Sequence, residues 1–516
     1  MSEEIVLSGE GLKINNLARF IKDTSLTVST RQEVRSRIER AGTFIAATLP
    51  STVVYGINTG FGPMSSYIIH HDQLVALQYN LVRSHAVGIG EPLPDTYVIA
   101  AMLVRLNTFM KGHSGVSWEL IEFLERVINE RIVPEVPTHG AVGTSGDLVQ
   151  LAHIALVLIG EGYASIRGKR MAAREAFRQA GLAPYQLQPK EGLALINGTS
   201  MMSGIGALIC FQSERLHRLA VRMSAMALEL VGGFWDGIDE HLHALRPHPG
   251  QIEVARQMRQ MLSSSHLMRG RHEIAAKRDG DAEVYQLPNG VQEIYSFRCV
   301  PQILGPIWDA IGHTKTTIER EINAVTDNPI VDYEHNRFLH GGNFHGDYIA
   351  CVLDQMKICL VKATMLMERQ INFFLNKNVN KHYPPFLNLK TPGLTLGLQG
   401  LQFVATSTTA KSQTLAFPQY VHSISTNADN QDVVSMGTDA ALIAAEVVEH
   451  AYIVSAVELI TLAQAVDHLG VREKLSDSSR ALYDAVRARL PAIIDDRDTT
   501  AELNPLVEYV KNDLEI

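Results

Sequence analysis

The chain has 516 residues, of which 46% are hydrophobic and 20% charged, and it carries a formal net charge of −9. That length can bury a substantial core, either in roughly two to four domains of ordinary size or in one large α-helical body. An acidic balance, with a pI near 6.1 and no basic cluster, gives nucleic acid or an anionic membrane no electrostatic reason to bind, and leaves small-molecule chemistry or protein contact.

The opening MSEEIVLSGE is acidic where a secretory signal would be basic and then apolar, so a cytoplasmic location is expected. TVVYGI at 52–57 reads as a short strand, and so does EGYASIRGKR at 161–170. In AVGTSGDLVQ, at 141–150, Thr144 and Asp147 have the spacing of a capping box ahead of the apolar run LVQLAHIALVLIG. Residues 202–231, 348–375 and 440–469 each read as a buried helix about 45 Å long. Glu446, Glu449, His450, Glu458 and Asp467 interrupt the last of them, so it is not read as a membrane span. The expected fold is mainly α: a long central helical bundle with C-terminal helices over 201–516, and a smaller loop-rich N-terminal region over 1–200. Four cysteines, Cys210, Cys299, Cys351 and Cys359, contain no CxxC pair, so neither a disulfide framework nor a zinc site is expected.

Long polar or glycine-rich loops interrupt these helices: VVYGINTGFGPMSS (53–66), AVGTSGD (141–147), EGLALINGTS (191–200), VQEIYSFRCVPQ (291–302), HGGNFHGDY (340–348) and STNADNQDVVSMG (425–437). Such loops inside a compact body are more often functional than idle. A metal-dependent hydrolase does not fit, because His70, His71, His340 and His345 lack HExxH or comparable ligand spacing. A helical scaffold would explain the bundle but not the Tyr, Asn and Arg residues in the loops.

Together with NLVRSHAVG, RLNTFMKGHSG, GTSGDLVQLAHIALVLIGEG, YSFRCVPQILGP and NAVTDNPI, these loops resemble the aromatic amino acid ammonia-lyase and 2,3-aminomutase family. The matching stretches run in family order from about residue 50 to 470. The resemblance implies the electrophile 4-methylidene-imidazol-5-one, MIO, formed autocatalytically from Thr144, Ser145 and Gly146. The chemistry of that triad is legible in itself. Attack of the Gly146 nitrogen on the Thr144 carbonyl carbon closes a five-membered ring around Ser145, and loss of water leaves an electron-poor exocyclic alkene. Glycine suits the attacking position because it has no Cβ. The family's usual triad begins with alanine, and Thr144 places a hydroxyl there instead.

The same resemblance implies the site. Tyr55 is the base that removes the β-proton, and Tyr295 is a second catalytic tyrosine. Arg298 holds the substrate carboxylate with its planar fork. Asn197 lies beside the amine, Phe344 packs near the ring, and Asn430 with Gln431 supplies polar contacts. His85 faces the substrate ring and favours a polar one. Read from spacing alone, His85 would be a histidine on the apolar stripe of Leu74, Leu77 and Leu81. Lys411 stands where histidine lyases carry a glutamate, and a lysine would repel an imidazolium. The resemblance therefore implies L-tyrosine converted to p-coumarate, in a homotetramer whose active-site loops come from more than one subunit, with no metal. The alternatives are a tyrosine 2,3-aminomutase forming β-tyrosine, which Thr144 favours, and a histidine ammonia-lyase forming urocanate.

Overall fold

The computed structural model describes residues 4–274, 284 and 290–515. Among the described residues the chain is mainly α-helical, and its strands form only four small sheets of two or three strands each. The principal helices are α1 (Leu74–His85), α2 (Asp95–Phe109), α3 (Leu148–Leu158), α4 (Glu191–Ile196), α5 (Ser200–Leu230), α6 (Val300–Glu321), α7 (Asp347–Leu375), α8 (Gln399–Thr414) and α9 (Gly437–Leu469). The three long helices expected from the sequence are α5, α7 and α9, each within a few residues of its predicted bounds. α9 is long and apolar enough to cross a bilayer by length and composition, and 72% of its most apolar window is buried inside the protein.

Compactness divides the chain into two units. The first comprises residues 1–211, 313–355 and 418–445, and the second residues 212–312, 356–417 and 446–516. In the first unit α1, α3 and α4 pack on one another. Helix α2 is buried without a break from Val98 to Phe109, as a helix apolar all round must be. Among its polar members Asn107 is paired: it accepts from the Gly9 amide at 3.0 Å and donates to the Ile322 carbonyl at 2.8 Å. In the second unit Phe297, Phe373, Phe374 and Tyr383 pack edge to face, and the Tyr383 hydroxyl donates to the Leu230 carbonyl at 2.8 Å.

The strand expected at 161–170 is a hairpin of Tyr163–Ile166 with Lys169–Ala172, turned at Arg167 and Gly168, both at positive φ. The strand expected at 52–57 is instead a turn. Asn58 causes it: its side chain accepts from the Val54 amide at 2.7 Å and donates to the Thr52 carbonyl at 2.8 Å, while Gly56 takes φ +66°.

One ion pair of the first unit is fully buried. Lys190 Nζ donates to Asp327 at 3.1 Å and to the Ser114 carbonyl at 2.5 Å, with both side chains fully shielded from solvent. Removing one partner strands the other charge in a low-dielectric interior. Lys190→Met is therefore expected to lower stability by about 3–5 kcal/mol, read from the denaturant midpoint, and the double variant Lys190→Met/Asp327→Leu to recover part of the loss.

Candidate active site

The run Gly143–Asp147 is a closed turn. Gly143, Ser145 and Gly146 have φ of +79°, +66° and +79°, and Gly143 pairs with Gly146 across the bend. Positive φ at a non-glycine residue such as Ser145 costs about 1–3 kcal/mol and persists only where the surroundings impose it. Here they come from the INGTS loop. The Gly198 amide donates to the Ser145 carbonyl at 3.1 Å, and the Asp147 amide donates to the Gly198 carbonyl at 2.8 Å. A Cβ on Gly146 would lie 2.0 Å from the Gly198 carbonyl oxygen, so two bare backbones are needed for this approach.

Asp147 precedes α3 but makes no side-chain cap to it. Its buried carboxylate instead accepts from the Met201 and Met202 amides at 2.8 and 3.0 Å and from the Thr438 hydroxyl, capping α5. The capping box expected between Thr144 and Asp147 is thus replaced by a cap across the fold. Burial pushes the Asp147 carboxyl up to about 6, opposed by Thr438, the two amides and Arg105. Burial also brings the Arg105 guanidinium down to about 10, opposed by Asp327 and Asp147. Glu321, which accepts from the Thr199 hydroxyl at 2.6 Å, is raised by burial as well.

The first unit contains most of the expected residues, and Gln431 and the segment of Asn197 reach this turn. Gln431 Nε2 lies 3.4 Å from Ser145 Oγ as a donor. Asn197 ends α4 next to Gly198; it is buried, and its Oδ1 has no partner among the described residues. The Tyr55 hydroxyl accepts from the Gly62 amide at 3.0 Å, and the Tyr55 amide donates to His340 Nε2 at 3.4 Å. Gly62 in turn lies so close to Asn427 that a Cβ would meet its amide nitrogen at 2.4 Å, which ties the Tyr55 loop to the loop of Asn430 and Gln431. Phe344 is half-buried beside His345, whose Nε2 contacts the Val433 carbonyl at 3.1 Å in that same loop. His85 ends α1, and its Nδ1 lies 2.9 Å from the Leu81 carbonyl. The Ser84 hydroxyl lies 3.0 Å from the same Nδ1; the tautomer with the proton on Nδ1 donates to the Leu81 carbonyl and leaves Nε2 as an acceptor. Three residues on, the Gly88 amide donates to His153 Nε2 at 3.0 Å, fastening this turn to α3.

Tyr295, Arg298 and Lys411 belong to the second unit. The Arg298 guanidinium sits over the Tyr295 ring at 5.1 Å and donates to Gln292 Oε1, while Tyr295 is 70% exposed. They line a cavity of about 650 Å³ with Arg369, Asn372 and Phe373. Lys411, on α8, is exposed and paired with Glu446 of α9 at 2.6 Å, so its charge is already balanced.

The family model for aromatic amino acid lyase matches residues 12–488. The histidine ammonia-lyase of Geobacillus sp. (strain WCH70) is 38% identical over 508 residues, covering 98% of this chain and 96% of that protein. The chain belongs to the aromatic amino acid lyase family. The histidine ammonia-lyase of Bacillus subtilis (strain 168) is 36% identical over 99% of the chain and 97% of its own length. Among solved structures, the Pantoea agglomerans phenylalanine aminomutase is similar with a TM-score of 0.94 at 35% identity, covering 99% of both chains. The tyrosine aminomutase of Streptomyces globisporus gives 0.92 at 34%, covering 98% of this chain and 97% of that one. This aromatic amino acid lyase is accordingly a carbon–nitrogen lyase with the family's helical fold.

Sequence reading of the lyase missed Asp147 as the cap of α5 and Arg105 behind Gly198, where a Cβ would meet Nη2 at 2.5 Å. A charged arginine within the buried run of α2 is the available signal. Asp147 gives a pH test. Its folded-state carboxyl titrates above the unfolded one, so its contribution to stability is fully present below the unfolded value near 4 and is lost as pH rises through about 6. The stability of the wild type minus that of Asp147→Asn is expected to fall by about 3 kcal/mol over that window, measured by denaturant titrations at successive pH values.

Proposed function

We propose that this lyase eliminates ammonia from L-tyrosine to give p-coumarate, with MIO formed from Thr144, Ser145 and Gly146 as its electrophile. The observation that carries the cofactor reading is the turn: a strained Ser145, a Gly146 with no room for a Cβ, and a Ser145 carbonyl already held by the Gly198 amide. When formed, MIO supplies an electron-poor alkene that activates the substrate amine as a leaving group.

The remaining work falls to ordinary side chains. Asn197 Oδ1, buried and without a partner among the described residues, accepts from the substrate ammonium. Tyr55 takes the β-proton on its phenol oxygen, whose place is fixed by the Gly62 amide. His85 Nε2 accepts from the substrate phenol, Phe344 packs against the ring, and Gln431 with Asn430 lines the polar side. Arg298 binds the carboxylate, and Tyr295 under its guanidinium is the second catalytic tyrosine. The enzyme acts as a cytoplasmic homotetramer without nucleic acid or membrane partners. Val53, Met64, Tyr67, Ile68, Ile424 and Val433, exposed in or beside the Tyr55 and Gln431 loops, support assembly.

Histidine to urocanate is the second reading. The relatives' names favour it, and the Lys411–Glu446 pair weakens the repulsion that a free lysine would exert on an imidazolium. A tyrosine 2,3-aminomutase is the third, supported by Thr144 and by the likeness to solved aminomutases.

Incubating the purified protein with L-Tyr, L-His and L-Phe separates the readings. Fastest growth of a p-coumarate absorbance band supports the proposal; urocanate from L-His, or β-tyrosine on chromatography without the cinnamate band, replaces it. Ser145→Ala is expected to abolish turnover of all three, and a variant with full activity would sink the MIO reading. Tyr55→Phe is expected to lower kcat by about 10²–10⁴-fold. His85→Leu is expected to shift the ratio of kcat/KM for L-Phe over L-Tyr upward by roughly tenfold or more.

A further inference from the structure

One fully buried side chain of the first unit touches none of the proposed reacting groups yet joins the segments that carry two of them. Gln78 lies in the middle of α1, completely shielded from solvent. Its Nε2 donates to the Gly56 carbonyl at 3.3 Å, and its Oε1 accepts from the Leu193 amide at 2.9 Å. Gly56 follows Tyr55 directly. Leu193 is in the first turn of α4, where an amide has no intrahelical acceptor, and Lys190 at the head of that helix supplies no side-chain cap. The Leu193 carbonyl, one helical turn before Asn197, accepts from the Asn197 amide at 2.9 Å. A single carboxamide therefore links the peptide after Tyr55 to the helical turn that ends at Asn197.

The surrounding packing leaves this link little slack. A Cβ on Gly192 would meet the Gln78 carbonyl oxygen at 2.8 Å, and one on Gly56 would meet the Leu193 side chain at 2.6 Å. α1 and α4 thus touch backbone to backbone at Gly192, and the Tyr55 turn rests on α4 at Gly56. Within that contact the amide is a two-ended spacer: one end needs a donor and the other an acceptor, which among side chains of this length glutamine provides without having to take up a proton.

We propose that Gln78 is a positioning residue that sets the placement of Tyr55 relative to Asn197, and so the distance between β-proton removal and amine binding. The inference rests on the roles given to Tyr55 and Asn197 above. Its expected signature is a loss in kcat, because small misplacement of groups that must act together costs rate steeply.

Three variants of the full-length enzyme test it. Gln78→Met keeps length and removes both hydrogen bonds; kcat is expected to fall by about 10–100-fold with KM within about twofold. Its Ser145-dependent near-ultraviolet absorbance should be retained, because the turn at 143–147 is held by Gly198 and Asp147 rather than by Gln78. Gln78→Glu keeps the acceptor for Leu193 but donates to Gly56 only when protonated. Its kcat relative to wild type is therefore expected to rise as pH falls through the titration of the introduced carboxyl, a recovery that a purely structural role would not produce. Wild-type kcat in folded Gln78→Met overturns the proposal. If that variant does not fold, a pH-independent ratio in Gln78→Glu overturns it. Tyr55→Phe is measured alongside: full activity there would show the base assignment to be wrong, whereas its loss with unaffected Gln78 variants would show that only the positioning role fails.

Discussion

The contact between the backbones of Gly146 and Gly198 is what the candidate site depends on. Neither residue has room for a Cβ, and the two segments exchange amide hydrogen bonds that hold Ser145 at a positive φ. Neighbouring elements of the first unit support this approach. The Asp147 carboxylate caps α5 immediately after the INGTS loop, and Thr438 at the start of α9 adds a third donor to the same carboxylate. α1, α3 and α4 pack against one another, so the histidine turn, the Thr-Ser-Gly turn and the asparagine all hang from one small frame. First-turn amides of α4 and α5 are satisfied across the fold, by Gln78 and Asp147, rather than within their own segments, which stiffens the frame at these points.

Much of this is legible in the sequence, for physical reasons. Apolar runs without Gly or Pro as long as α7 can only be buried helices, and the glycine-rich loops between them are the places to look for function. The run of motifs in family order identifies the family without the fold, because those loops carry residues whose chemistry has few substitutes. Local signals fail where a side chain acts over a distance or against propensity. TVVYGI has the β-branched composition of a strand, but Asn58, just beyond it, bends the backbone into a turn through its own amide. Thr144 and Asp147 have capping-box spacing, yet the carboxylate serves amides 54 and 55 residues away. No window of sequence contains both ends of that bond.

The candidate residues themselves divide along the same line. Tyr55, His85, Asn197, Phe344 and Gln431 lie in one unit; glycine or backbone groups contact Tyr55 and the segments next to His85 and Phe344, while Gln431 reaches Ser145 with its side chain. Arg298 and Tyr295 keep company in the second unit, where their stacked pair borders an open cavity. Lys411 has a carboxylate partner in Glu446, a neighbour that alignment of short motifs could not reveal and that changes what its charge says about substrate.

The bend at Ser145 also bears on when, under the proposed cofactor reading, this chain acquires a reactive group. An unfolded copy carries only an ordinary Thr-Ser-Gly tripeptide, because the bonds that hold the turn come from Gly198, more than fifty residues further along, and from a carboxylate that must be enclosed beside α5. A chain released early, truncated before that loop or trapped in a misfolded state has no means of holding the bend. Under the proposed cofactor reading, ring closure at Thr144–Gly146 is thereby confined to molecules that have already brought Gly198 against the turn, and the same glycine contact that shapes the site acts as its quality control.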